Sequence, residues 1–380
     1  MRATLNKATL YFENGLFLEA QSFGARGVVI GEAVFNTAMS GYEEVISDPS
    51  YRGQFVVFSA PEVGVVGVNE QDRESPSSFC AGILVRHTPS RYSNFRAKQP
   101  LSAFLQQHGV LGVSGLDTRA LVGMLRDEGA MGVVVSTDGL DKQELQKLLQ
   151  VSSGISEQYL IPPFNRAATH AHGVFDFNAL NYQTPTLTST IGVLDLGVKN
   201  NILNNLAQVG LRPLCFAHDT KAQTLIESYK KGEIAGVLLS NGPGDPLRLK
   251  SVIHEIGLLI QEQIPMLGIC LGHQLLSIAH GYPTYKLKFG HHGSNHPVLN
   301  LQTRRIEVSA QNHNYCVPES IAKVATITHK NLFDHTIEGM RYKNAPILSV
   351  QHHPEASPGP HDGLYIFEEF KKVVQNERLQ

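Results

Sequence analysis

Gly268-Ile269-Cys270-Leu271-Gly272 sets a thiol between two glycines, where the apolar run 264–269 gives way to a helical pattern. So tight a strand-to-helix reversal needs small flanking residues, and it lifts the central side chain above the sheet edge. At a helix start, unpaired N–H groups and the positive end of the dipole favour the thiolate, which is the nucleophilic form. Cys270 is therefore a candidate nucleophile. Taken alone, it also reads as a buried structural cysteine.

A thiol nucleophile needs a proton carrier, and context must choose among 17 histidines. His353-Pro354-Glu355 follows the apolar run 346–350, which reads as another buried strand. Pro354 holds the preceding residue extended, and alternation places His353 and Glu355 on one side. The carboxylate can then hold one ring nitrogen and set the tautomer, as the third member of a catalytic triad does. Without the thiol, the pair reads as a histidine beside a surface carboxylate. Ser240-Asn241-Gly242-Pro243-Gly244-Asp245 closes a third apolar strand. Its N–H groups suit an oxyanion hole, although Asn-Gly and Pro-Gly pairs also make ordinary turns. Thiol, imidazole–carboxylate and amide donors at three neighbouring strand ends describe acyl transfer through a covalent intermediate.

Other chemistries find less support. His291-His292-x-x-x-His296 lies among Gly290, Gly293, Asn295 and Pro297 with no accompanying carboxylate, so a loop is predicted there and no metal site. Neither G-x-x-x-x-G-K-[ST] nor a strand-borne G-x-G-x-x-G occurs, and the chain is expected to carry no cofactor of its own.

The elements that position these groups alternate strand with helix from IGVLDLG at 191–197 through LGHQLLSIAHG at 271–281. Near-continuous apolar strands between amphipathic helices predict a mostly parallel open sheet covered on both faces, with ligands at the strands' carboxyl ends. Upstream, shorter β-branched runs at 27–30, 54–58 and 132–135, with helical stretches after Leu101 and Asp117, predict a smaller mixed α/β domain. A stretch rich in Ser, Thr, Pro and Asn separates the halves. The expected division is a domain at 1–152, a linker at 153–188 and a second domain at 189–380, and 380 residues suffice for both.

The apolar share of 42% excludes disorder as the main state. A net charge of -2 leaves no surplus for gripping nucleic acid or an anionic membrane. The start MRATLNKATLYFENG lacks the apolar stretch of a secretory leader, and no run approaches the ~18 apolar residues of a membrane span. Cys80, Cys215, Cys270 and Cys316 are widely spaced, without a disulfide or zinc pattern. A cytoplasmic protein is expected.

With these residues assembled, the chain resembles over nearly its whole length the family of small, glutamine-hydrolysing subunits of carbamoyl-phosphate synthetases. GICLGHQ, SNGPGDP and HPEASPGP are similar to class I (triad) glutamine amidotransferases at large. GEAVFNTAMSGYEEVISDPSYRGQ, SNFR at 93–96, DTRAL at 117–121 and KFGHHGSNHPV from Lys288 narrow the likeness to the small subunit, away from the glutaminase parts of anthranilate, GMP or CTP synthetases. The resemblance implies Cys270 as nucleophile, His353 as acid and base, and Glu355 as its orienting partner. It further implies that glutamine is held by Ser50, Gly242, Gly244, Leu271, Gln274, Asn312, Asn314 and Tyr315, with Leu271 and the glycine loop giving N–H donors.

A large synthetase subunit is implied as partner. It would use bicarbonate, ATP and Mg to make carbamoyl phosphate for arginine and pyrimidine synthesis. The chain departs from the family at Asn314, where glycine is usual, and at Asn200, where arginine is common. It also departs around 155–160. If that glycine is left-handed, asparagine is its least costly replacement. A free-standing thiol hydrolase and a non-catalytic scaffold are the other readings.

Overall fold

Seven short strands in the first 136 residues, rich in valine, isoleucine and phenylalanine, pair into a closed barrel in this computed structural model, which describes residues 6–152, 154, 157–161, 174–176, 181–183 and 185–377. They are β1 (Asn6–Phe12), β2 (Phe17–Ser22), β3 (Val28–Asn36), β4 (Gln54–Phe58), β5 (Gly82–Leu84), β6 (Leu111–Ser114) and β7 (Met131–Ser136). Their order is β1-β2-β6-β5-β4-β3-β7, with β7 pairing back onto β1. Closure leaves no open edge. Leu10, Phe12, Phe55, Val57, Leu84 and Val133 fill its core.

Four helices accompany the barrel: α1 (Tyr42–Ser47), α2 (Leu101–Gln107), α3 (Thr118–Glu128) and α4 (Lys142–Val151). The helices expected after Leu101 and Asp117 are α2 and α3, and the Asp117 carboxylate caps α3 by accepting from the Ala120 N–H at 3.1 Å. Chain contacts group Met1–Leu160 and Lys288–Gly293 as this unit, and Ile161–Leu287 with Ser294–Gln380 as the second.

Most of the segment expected as a linker lies outside the described residues. Within it, β8 (Val174–Asp176) and β9 (Asn181–Gln183) pair as an antiparallel hairpin. The second unit then runs β10 (Ser189–Asp195), α5 (Asn200–Gln208), β11 (Leu211–Ala217), α6 (Ala222–Lys230), β12 (Val237–Leu239), α7 (Lys250–Gln261), β13 (Met266–Ile269) and α8 (Leu271–Ala279). The chain continues with β14 (Tyr285–Asn300), of which Lys288–Gly293 group with the first unit, then β15 (Ile306–Cys316), β16 (Ala325–Asn331), β17 (Ile337–Tyr342), β18 (Ile347–Val350) and α9 (Tyr365–Glu377).

These strands form one sheet in the order β11-β10-β12-β13-β18-β17-β16-β14-β15. The first five are parallel, and β12, β13 and β18 are buried at every residue, as strands covered on both faces must be. One face packs Leu239 and Met266 against Leu225, Ile256 and Leu275 of α6, α7 and α8. The other packs Val193 and Leu267 against Ile202 and Leu206 of α5 and Phe367 and Phe370 of α9. The α/β class is the expected one.

Beyond β18 the sheet turns antiparallel through β17, β16 and β14. The predicted loop around His291 to His296 is instead part of the long strand β14. Pairing overrides the breakers there: Pro297, which has no N–H to give, accepts from the Leu332 N–H at 2.9 Å.

Candidate active site

Cys270 joins β13 to α8 with φ 52° and ψ −101°, a left-handed conformation that costs a non-glycine residue about 1–3 kcal/mol. The surroundings hold it there. Its N–H donates to the Val350 carbonyl at 2.9 Å, and the Gly272 N–H donates to the Ser240 carbonyl at 3.1 Å. Both flanking glycines are required by close approach. A Cβ on Gly272 would lie 2.2 Å from the Leu239 carbonyl oxygen, and one on Gly268 would lie 2.6 Å from Leu276 Cδ1.

The thiol reaches β15, where Sγ donates to the Asn312 carbonyl at 3.6 Å. His353 leaves the end of β18 and is pinned to the same strand, its N–H donating to the Ala310 carbonyl at 2.9 Å. Its Nδ1 lies 2.7 Å from Glu355 Oε1. A carboxylate accepts only, so Nδ1 carries the proton and Nε2 faces the chemistry. Nε2 makes no hydrogen bond to any other described side chain, and the ring interacts electrostatically with Cys270.

Burial alone would push the His353 ring down, but Glu355 and Cys270 outweigh it and raise its pKa to about 10. Burial alone would raise the Glu355 carboxyl, but Lys199 and then His353 hold it at about 2. An imidazolium beside the Glu355 carboxylate is thereby the favoured state.

Lys199 was not legible as a site residue. It is 2% exposed at the start of α5, with Nζ 2.9 Å from Glu355 Oε1 and donating to the Ala356 carbonyl at 2.6 Å. A lysine at the N-terminal end of a helix opposes the dipole, and that conflict in GVKNNI is the signal that asks for a carboxylate partner.

The glycine loop lies against this assembly. A Cβ on Gly242 would come within 2.8 Å of Leu271 Cδ2 and 2.3 Å of the Leu196 carbonyl oxygen, and Gly244 has φ 92°. Leu271 opens α8, so its N–H is among those that a helix start leaves without an intrahelical acceptor. Gln274, one turn on, donates Nε2 to the Tyr315 carbonyl at 2.8 Å and to Gln351 Oε1 at 3.1 Å. Asn312 and Tyr315 are buried on β15, and Asn314 between them is half-buried. Asn314 does not take a positive φ, so the left-handed conformation considered for it is not used; the extended strand accepts any residue there. Asn200 opens α5. Ser50 belongs to the first unit, in the turn Pro49–Tyr51, where its N–H donates to Asp48 Oδ1 at 2.9 Å.

A strained cysteine, an imidazole held by a carboxylate, and a glycine loop beside a helix start recur in many acyl-transfer enzymes, so the comparison with known proteins decides the family. The model of class-I glutamine amidotransferases matches residues 192–373, and that of the carbamoyl-phosphate synthase small chain, CPSase domain, matches 10–135. A carbamoyl phosphate synthase small chain of Helicobacter pylori (strain 26695) is 59% identical over 373 residues, covering 97% of this chain and 99% of that one. The chain belongs to the carbamoyl-phosphate synthase small-chain family.

A Campylobacter jejuni small chain is 51% identical over 371 residues, covering 97% of this chain and all of its own, and an Aquifex aeolicus one is 42% identical over 376, covering 97% and 99%. Within this small-chain family member, the class-I amidotransferase match falls on the second unit, which carries Cys270, His353, Glu355 and Lys199. Among the described residues no helix is long and apolar enough to cross a membrane.

Proposed function

We propose that this small chain hydrolyses the side-chain amide of glutamine through a Cys270–His353–Glu355 triad and hands the ammonia to a large synthetase chain. The Cys270 thiolate attacks the amide carbon, and the N–H groups of Leu271 and the Gly242–Gly244 loop stabilise the oxyanion that forms. Imidazolium His353 gives its Nε2 proton to the departing nitrogen, releasing ammonia and leaving a γ-glutamyl thioester. Water then attacks the thioester carbon and returns a proton to Nε2. Collapse expels the thiolate, frees glutamate and restores the starting ion pair. Gln274, Asn312, Asn314 and Tyr315 complete glutamine recognition in this reading. The large chain consumes the ammonia with bicarbonate, ATP and Mg to give carbamoyl phosphate for arginine and pyrimidine synthesis.

The observation that carries this reading is the 2.7 Å contact of His353 Nδ1 with Glu355, which leaves Nε2 to the Cys270 thiol. The test replaces Cys270 by serine in the complex with the large chain. Glutamine-dependent synthesis is expected to disappear while synthesis from added ammonia persists. Glutamine use at the wild-type rate would refute the assignment.

A further inference from the structure

Glu355 meets both of its charged partners with one oxygen: Oε1 lies 2.7 Å from His353 Nδ1 and 2.9 Å from Lys199 Nζ. Oε2 makes no hydrogen bond among the described residues. Two contacts on one atom form a pivot, so the backbone that carries the carboxylate must be held by something else. That backbone is strained, because Ala356 and Ser357 adopt φ 59° and 53°, two successive non-glycine residues in the left-handed region.

The start of α5 supplies the restraint. Lys199 Nζ donates to the Ala356 carbonyl at 2.6 Å, and Asn201 Nδ2 donates to Ser357 Oγ. The Asn201 amide has its own orientation fixed, since its Oδ1 accepts from Asn204 Nδ2 at 3.0 Å and so leaves Nδ2 for the serine. The Asn201 backbone carbonyl accepts from Asn205 Nδ2 at 2.6 Å. Asn204 and Asn205 thus brace the Asn201 that meets the turn following Glu355.

We propose that Asn201 is a positioning residue for the triad, latching the turn 356–357 through Ser357 to the start of α5 and so keeping the Glu355 carboxylate against the His353 ring. The inference rests on the glutaminase reading above. Released from the latch, the turn relaxes toward right-handed φ, the carboxylate swings on its pivot, and the ring loses its orientation toward the thiol.

The test measures ammonia release from glutamine, with the large chain present, for Asn201→Ala, Ser357→Ala, the double variant and Ser357→Thr. Each alanine variant is expected to lower kcat by about 10- to 100-fold while KM stays within about twofold. The double variant is expected to be no worse than either single one, because both remove the same bond. Ser357→Thr keeps the acceptor and is expected to retain most activity. The basic limb of the kcat profile should move to lower pH in the alanine variants, since a displaced carboxylate stabilises the imidazolium less.

A wild-type kcat, a KM that rises by the factor kcat falls, an unmoved limb, additive losses in the double variant, or a Ser357→Thr as impaired as Ser357→Ala would each overturn the latch. Should Asn201→Ala fail to fold, Ser357→Ala removes a single oxygen and gives the same readout. Cys270→Ser is measured in parallel. If it still hydrolyses glutamine, the glutaminase reading falls. If it is inert while Asn201→Ala behaves as wild type, the latch alone falls.

Discussion

Replacing Lys199 by methionine keeps most of the side chain's volume and removes an ammonium that sits 2.9 Å from Glu355 Oε1, in a place where neither side chain is more than 3% exposed. The Glu355 carboxyl lies at about 2 against an ordinary 4.5, with burial working against Lys199, the larger of the two lowering influences, and His353. At about 1.4 kcal/mol per unit, that displacement stabilises the fold by about 3 kcal/mol. Lys199 and His353 share that stabilisation; removing one partner of a buried ion pair costs about 3–5 kcal/mol, and a loss of that order is expected at neutral pH.

The pH dependence follows from the direction of the shift. A depressed carboxyl contributes its full stability above its ordinary value and loses it as pH falls toward the folded one. The gap between wild type and Lys199→Met is therefore expected to be full at pH 7, to narrow below about pH 4.5 and to close near pH 2. Urea unfolding of the full chain, followed by far-UV circular dichroism at pH 7, 5 and 3, measures it. A loss below about 0.5 kcal/mol at pH 7, the size of an ordinary surface change, would refute the reasoning. So would a gap of equal size at pH 7 and pH 3.

His353→Asn is expected to lower kcat for glutamine hydrolysis by roughly 100-fold or more, with a much smaller change in KM; steady-state ammonia release checks this, and equal effects on both would point to pocket damage. Because burial is outweighed by Glu355 and Cys270 at His353, its stabilising contribution is complete below pH 6.5 and is lost as pH rises through about 10. The basic limb of kcat/KM should accordingly fall near pH 10, and a limb near 6.5 in the measured profile would contradict the ion-pair description. Gly272→Ala forces a methyl to within 2.2 Å of the Leu239 carbonyl, so thermal unfolding should show a loss of about 1–3 kcal/mol. A wild-type midpoint would show that β12 and α8 yield more easily than their packing suggests.

What was legible in the sequence was local. The glycines around Cys270 announce a turn with no room for a Cβ at 268 or 272, and that exclusion is a short-range steric fact. The pairing of His353 with Glu355 follows from extended alternation across Pro354, and the strand–helix rhythm from 191 to 281 follows from apolar periodicity. What escaped depends on distant partners. Lys199 meets Ala356 across 157 positions, and β14 pairs through Val298–Asn300 with β16, a partner that no local pattern announces. The barrel order places β6 beside β2, and no composition or period in the first 136 residues encodes that neighbour.

The backbone of β15 accepts from the His353 N–H at Ala310 and from the Cys270 thiol at Asn312, two residues further along the strand. Carbonyls two positions apart point the same way. The sulfur and the ring are thus gauged from a single datum line, although the segments that bear them lie some eighty positions apart in sequence. A displacement of this strand would move the acceptors of both groups together.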